Sequence, residues 1–77
     1  MEYTPEEIAA VNKRTAYKKH KRTWIKVDFM QLTSGCEFKL YEEDGTPVLN
    51  NQGTTDFIAA GKPYVDEAGM NRILVYR

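Results

Sequence analysis

Seventy-seven residues suffice for one domain and leave it a thin core, because a chain this short buries only about 60% of the surface it exposes when unfolded. A lone cysteine, Cys36, excludes an internal disulfide, so a reducing, cytoplasmic setting is expected. Eleven basic and eleven acidic residues give a formal charge of zero, which argues against a uniformly basic or acidic protein but conceals strong patterning.

The patterning begins at the N-terminal end. Thr4-Pro5-Glu6-Glu7 is a helix start: Thr4 can cap, Pro5 suits the first helical position, and Glu7 completes a capping box. Ile8, Val11 and Thr15 follow at helical spacing. Beyond Thr15, Lys18, Lys19 and Arg22 stand where that apolar stripe should continue. The spacing predicts a helix over residues 4–23 whose first half docks on a core and whose basic distal half projects. Residues 13–26 hold seven of the eleven Lys and Arg residues and no acid, while the chain from Val27 onward carries eight acids against four bases.

From Trp24 the apolar period becomes two. Ile25, Val27 and Phe29 alternate with Trp24, Lys26 and Asp28, and Leu32-Thr33-Ser34-Gly35 reads as a turn. Cys36, Phe38 and Leu40 alternate with Glu37, Lys39 and Tyr41 in a second half-buried strand. Glu42-Glu43-Asp44-Gly45 is a hairpin turn of the Asp-Gly type, and Pro47 confines Thr46 to Leu49 to an edge. Asn50 to Gly53 turns the chain again, and Thr55 to Ala60 is a further strand. Gly61-Lys62-Pro63 breaks it. Tyr64-Val65 is a brief strand, Asp66 to Gly69 a turn, and Met70 to Tyr76 the last strand. One helix and five or six short strands predict an α+β fold in a single domain, residues 1–77. Residues 24–77 are expected to form a small antiparallel β-barrel of SH3-like or OB-like type, with an open meander sheet as the alternative.

The basic window is the main functional signal. Lys13, Arg14, Lys18, Lys19, Lys21 and Arg22 are expected to contact phosphates, with Tyr17 or Trp24 adding base stacking. This points to a non-catalytic nucleic-acid-binding module, although a solvated helix face explains the same composition, and Trp24 reads better as a core residue clamping the helix. Tyr41 and Tyr76 point away from the apolar face and stay open as a second platform. The alternatives are a protein-interaction module that inhibits or modulates a host protein, and a structural part of a virion or larger assembly.

Catalysis, metal and cofactor are not expected. His20 and Cys36 are the only histidine and cysteine, too few for a zinc site, and no phosphate loop or nucleophile motif occurs. The acidic turn at Glu42 to Gly45 lacks the spacing of a calcium loop. No signal peptide, membrane-spanning run or amphipathic membrane helix is expected. The oligomeric state is open.

The segment Leu32-Thr33-Ser34-Gly35-Cys36-Glu37-Phe38, then Tyr41-Glu42-Glu43-Asp44-Gly45-Thr46-Pro47-Val48 and Ile73-Leu74-Val75 after Gly69, resembles the small β proteins common in bacteriophage and prophage genomes. The resemblance covers about residues 30–76 and rests on turns and strands. It implies a phage accessory protein acting by binding a host or phage macromolecule, and it assigns no site residue.

Overall fold

A computed structural model describes residues 3–76. The helix start is as expected. Thr4 caps α1 (Pro5–Asn12): its hydroxyl accepts from the Glu7 N–H at 3.2 Å, and the Glu7 carboxylate accepts from the Thr4 N–H at 3.2 Å. Ile8 and Val11 are half-buried, and no residue of α1 is fully buried. The helix is therefore held at its end. Asn12 donates to the Gly69 carbonyl at 2.8 Å and accepts from the Asn71 N–H at 2.8 Å, tying α1 to the C-terminal hairpin.

The predicted distal half of that helix does not exist. The chain leaves α1 at Lys13 and becomes β1 (Thr15–His20), turns through Lys21 and Arg22, and returns as β2 (Thr23–Val27). The expected helix over residues 4–23 is thus corrected to residues 5–12. The physical reason is pairing on both edges. β1 is an inner strand, hydrogen-bonded to β2 on one side and to β3 (Glu37–Tyr41) on the other. Helical intent in a run of like charges with no i,i+4 acids cannot compete with two ladders. Ala16 then lies fully buried opposite Val27 and Leu40.

The sheet order is β2-β1-β3-β4, with β4 spanning Phe57–Ile58, and all its pairs are antiparallel. The second edge of β3 is shared. Phe38 pairs with Phe57, while the chain past Tyr41 doubles back so that Pro47 bridges Tyr41 and the Val48 N–H donates to the Leu40 carbonyl at 2.9 Å. The intervening turn is the expected Asp-Gly hairpin: Gly45 has φ 91°, and Asp44 accepts from the Thr46 N–H at 2.9 Å. Hydrogen bonding from Thr46, first from its hydroxyl and then from its N–H, holds the Asp44 carboxyl below its usual value.

A second sheet pairs β5 (Tyr64–Val65) with β6 (Asn71–Arg72). Past β6, Ala59 bridges Val75, and the Tyr76 N–H donates to the Ile58 carbonyl at 2.9 Å, so the chain end flanks β4. The described strands thus form one four-stranded and one two-stranded sheet, and among the described residues no closed barrel is found. Ala16, Leu32, Phe38, Leu40 and Ala59 make the buried core. Val27, Phe29, Cys36, Val48, Phe57 and Ile73 pack around it, with Phe38 and Phe57 stacked at 5.3 Å. One face of the sheet is spent on this core. The other face is left to solvent.

Candidate functional site

Strand alternation sorts the side chains. Residue pairs Tyr17 with Lys26 and Lys19 with Trp24 across β1–β2, and Thr15 with Tyr41 and Tyr17 with Lys39 across β1–β3, share the outer face. Two aromatic groups form there. Tyr17 and Tyr41 meet edge to face, with ring centres 5.5 Å apart at 88°. Trp24 lies beneath two ammonium groups, Lys39 Nζ at 4.4 Å and Lys19 Nζ at 5.8 Å from its ring centre. Between them runs an open groove of about 430 Å³, floored by Tyr17, Trp24, Lys26, Lys39 and Tyr41 and closed at one end by Glu42, Glu43 and Gly45.

Trp24 therefore stands on the solvent face of the sheet, half-buried by its neighbours, and not in the core beneath the helix. The expectation that it clamps α1 is corrected. Its alternation with Ile25 and Val27 was legible; what was misjudged is which of the two faces the core takes. Tyr41 joins the same surface. Tyr76 is 63% exposed elsewhere, beside β4.

The basic residues expected to act together are divided by the hairpin. Lys13 and Arg14 sit in the connector before β1 and fold back on the acidic turn. Arg14 makes two hydrogen bonds to Glu42, at 2.6 and 3.4 Å, and Lys13 lies 3.9 Å from Glu43. Lys19 is 3.8 Å from Glu37, and Lys39 is 3.8 Å from Asp56. Lys18 projects from the opposite face and reaches the Thr33 hydroxyl at 3.4 Å. Lys21 and Arg22 form the hairpin tip, and both are exposed.

What remains is a subset. Among the described residues, Lys18, Lys21, Arg22 and Lys26 have no carboxylate within 4.0 Å. Three of them, Lys21, Arg22 and Lys26, lie along the tip and outer face next to Trp24. The residues that sequence reasoning left out are Lys26 and Lys39. Both were visible as the partners of Trp24 and Tyr41 on alternating strands, once those strands are paired.

The hairpin tip is strained. Lys21 and Arg22 have φ of 48° and 73°, the left-handed pair of a type I′ turn, where Asn-Gly is the favoured sequence. A left-handed L-residue costs roughly 1–2 kcal/mol. Two long, exposed cations stand at that turn in place of the favoured Asn and Gly.

His20 lies next to the tip, while Cys36 packs half-buried against the core before β3. Among the described residues, no three His, Cys, Asp or Glu side chains gather to hold a metal ion. No helix among them is long and apolar enough to cross a membrane. No family model, curated protein or solved structure matches the chain.

Proposed function

We propose that the chain binds single-stranded nucleic acid, without catalysis, across the outer face of the β1–β2–β3 sheet. One observation carries the reading: cations with no acid partner among the described residues (Lys21, Arg22 and Lys26) flank Trp24, Tyr17 and Tyr41 on the outer face of the sheet. Phosphates need uncompensated positive charge, and unstacked bases need exposed aromatic planes; a sheet face that offers both suits a single strand better than a duplex. Lys39 and Lys19, already over the Trp24 ring, would turn outward to phosphates as a base takes their place. This role is that of a binding accessory protein, and the phage setting implied by the resemblance belongs to the same proposal.

Trp24 is the only tryptophan, so its fluorescence reports directly on the site. Titration with short single-stranded DNA and RNA at two salt concentrations is expected to quench it, with affinity falling as salt rises by a log–log slope of about 0.7 per phosphate contacted. Absence of quenching at low salt, or binding that ignores salt, refutes the reading. A blunt duplex of the same length serves as the comparison and is expected to bind more weakly.

A protein-interaction module is the second reading, and a specific surface favours it. Leu49, Val75 and Tyr76, with Asn50, Asn51 and Gln52, line another open groove of about 390 Å³, and Leu49 and Tyr76 are more than half exposed. A stoichiometric protein partner that survives nuclease treatment would support this reading over the first.

A further inference from the structure

The sheet ends at β2, whose outer edge pairs with nothing among the described residues. The hairpin geometry says which backbone groups that edge offers. A two-residue type I′ turn closes on a hydrogen-bonded pair, here His20 with Thr23, and bonded and non-bonded pairs then alternate. Ile25, opposite Lys18, spends its N–H and C=O on β1. Trp24 and Lys26 turn theirs outward.

We propose that this edge is the interface of a twofold homodimer, in which β2 of one copy pairs antiparallel with β2 of a second about Ile25. The register follows from the sequence Arg22-Thr23-Trp24-Ile25-Lys26-Val27-Asp28, which is complementary to its own reverse. Centred on Ile25, Trp24 of one copy stands opposite Lys26 of the other, and both are outward-directed residues, as a hydrogen-bonded pair requires. Thr23 meets Val27, a β-branched pair. Arg22 and Asp28 flank β2 at its two ends, so the antiparallel alignment brings the basic end of one copy toward the acidic end of the other. Ile25, 43% exposed in one copy, covers its twin. The Trp24–Lys26 and Thr23–Val27 pairings occur twice and the Ile25 pair once, so the edge gains four backbone hydrogen bonds and two cation–π contacts, with no like charges directly opposed.

A lysine on a free edge ordinarily discourages pairing. Here the register sets Lys26 against an aromatic ring, which turns the deterrent into a contact with one partner only, a second copy in this alignment. Two four-stranded sheets then become one eight-stranded sheet, and the Trp24 platforms of both copies lie side by side on the same outer face. Strand pairing alone buries modest area, so the dimer is reversible and depends on concentration.

The test is directional. In a Cys36→Ala background, Ile25→Cys places two thiols across a non-hydrogen-bonded pair about 4.5 Å apart between Cα atoms, within disulfide reach. Thr23→Cys on the same exposed strand leaves them about 13 Å apart. Mild oxidation is expected to convert Ile25→Cys to a covalent dimer at least tenfold faster than Thr23→Cys. Sedimentation of the unaltered chain is expected to show a mass that doubles with concentration, and Ile25→Lys to abolish that rise. Equal cross-linking rates, or an unaltered chain that stays monomeric up to its solubility limit, overturns the proposal. Nucleic-acid binding is measured separately on Ile25→Lys, so failure of the dimer leaves the binding reading to its own test.

Discussion

Two basic pairs stand in one acid-free run of sequence and have opposite fates. Lys13-Arg14 ends in the connector after α1, where Glu42 and Glu43 neutralise it; Lys21-Arg22 ends at the tip of a hairpin, where no carboxylate among the described residues lies within 4.0 Å. The first pair stabilises the fold by joining the connector to the β3 hairpin turn. The second lowers stability, because both residues hold left-handed backbone. The contrast with the C-terminal hairpin is instructive. There Asp66 opens the turn, accepts from the Ala68 and Met70 N–H groups at 2.9 and 3.0 Å and from Arg72 at 2.5 Å, and Gly69 supplies the φ of 83°. This chain uses favourable turn chemistry where a turn is only a turn, and departs from it where charge is presented.

Four variants sharpen or break that contrast. The largest expected effect is on binding. Trp24→Ala removes a stacking plane worth about 1–3 kcal/mol per base, so affinity for single strands should fall by roughly fivefold to a hundredfold. Circular dichroism of the same variant should show the sheet intact, because Trp24 lies outside the core. Replacing the tip by its favoured sequence, Lys21→Asn with Arg22→Gly, should raise unfolding stability by about 1–2 kcal/mol in urea while weakening binding. A variant that binds as well as the original would show that the tip cations are not the ones in contact.

The connector gives the converse. Glu42→Gln with Glu43→Gln frees Lys13 and Arg14, and should lower stability by about 1 kcal/mol or less while tightening binding at low salt. Titration calorimetry and thermal melts together check both signs. The smallest effect belongs to the C-terminal turn. Arg72, hydrogen-bonded to Asp66, holds that carboxyl below its ordinary value of about 3.9, and the Met70 N–H adds to it. The same contact holds Arg72 above its ordinary value. A depressed carboxylate contributes stability that is fully present above the ordinary value and is lost as pH falls through the depressed one. Melting temperatures of the original chain and of Asp66→Asn should therefore differ at neutral pH and converge in strong acid.

Much of this arrangement was legible in the residues, and the failures share one cause. Thr4, Pro5 and Glu7 announced the helix start because capping is local chemistry. Asp44-Gly45 and Asp66 to Gly69 announced their turns for the same reason. Phe38 and Leu40 declared the inner face of β3 by alternation. The helix end was missed because Lys21-Arg22 carries none of the Gly or Asn that marks a type I′ turn, so the run of residues 15–20 read as the distal half of a helix ending at residue 23, and only the run from Trp24 read as a strand. With the hairpin unseen, Trp24 had no strand partner to place it. Whether the sheet closed on itself was also beyond local pattern, since that depends on which edge each short strand meets.

The central claim is that the tip, and not the connector, meets the ligand. The direct measurement is the slope of log affinity against log salt for single-stranded DNA, compared between Lys21→Ala with Arg22→Ala and Lys13→Ala with Arg14→Ala. The account predicts that the tip variant lowers the slope by about 1.4, two phosphate contacts at 0.7 each, while the connector variant leaves the slope in place and loosens the fold instead. Equal slopes for the tip variant and the original chain, or the larger loss in the connector variant, would contradict it.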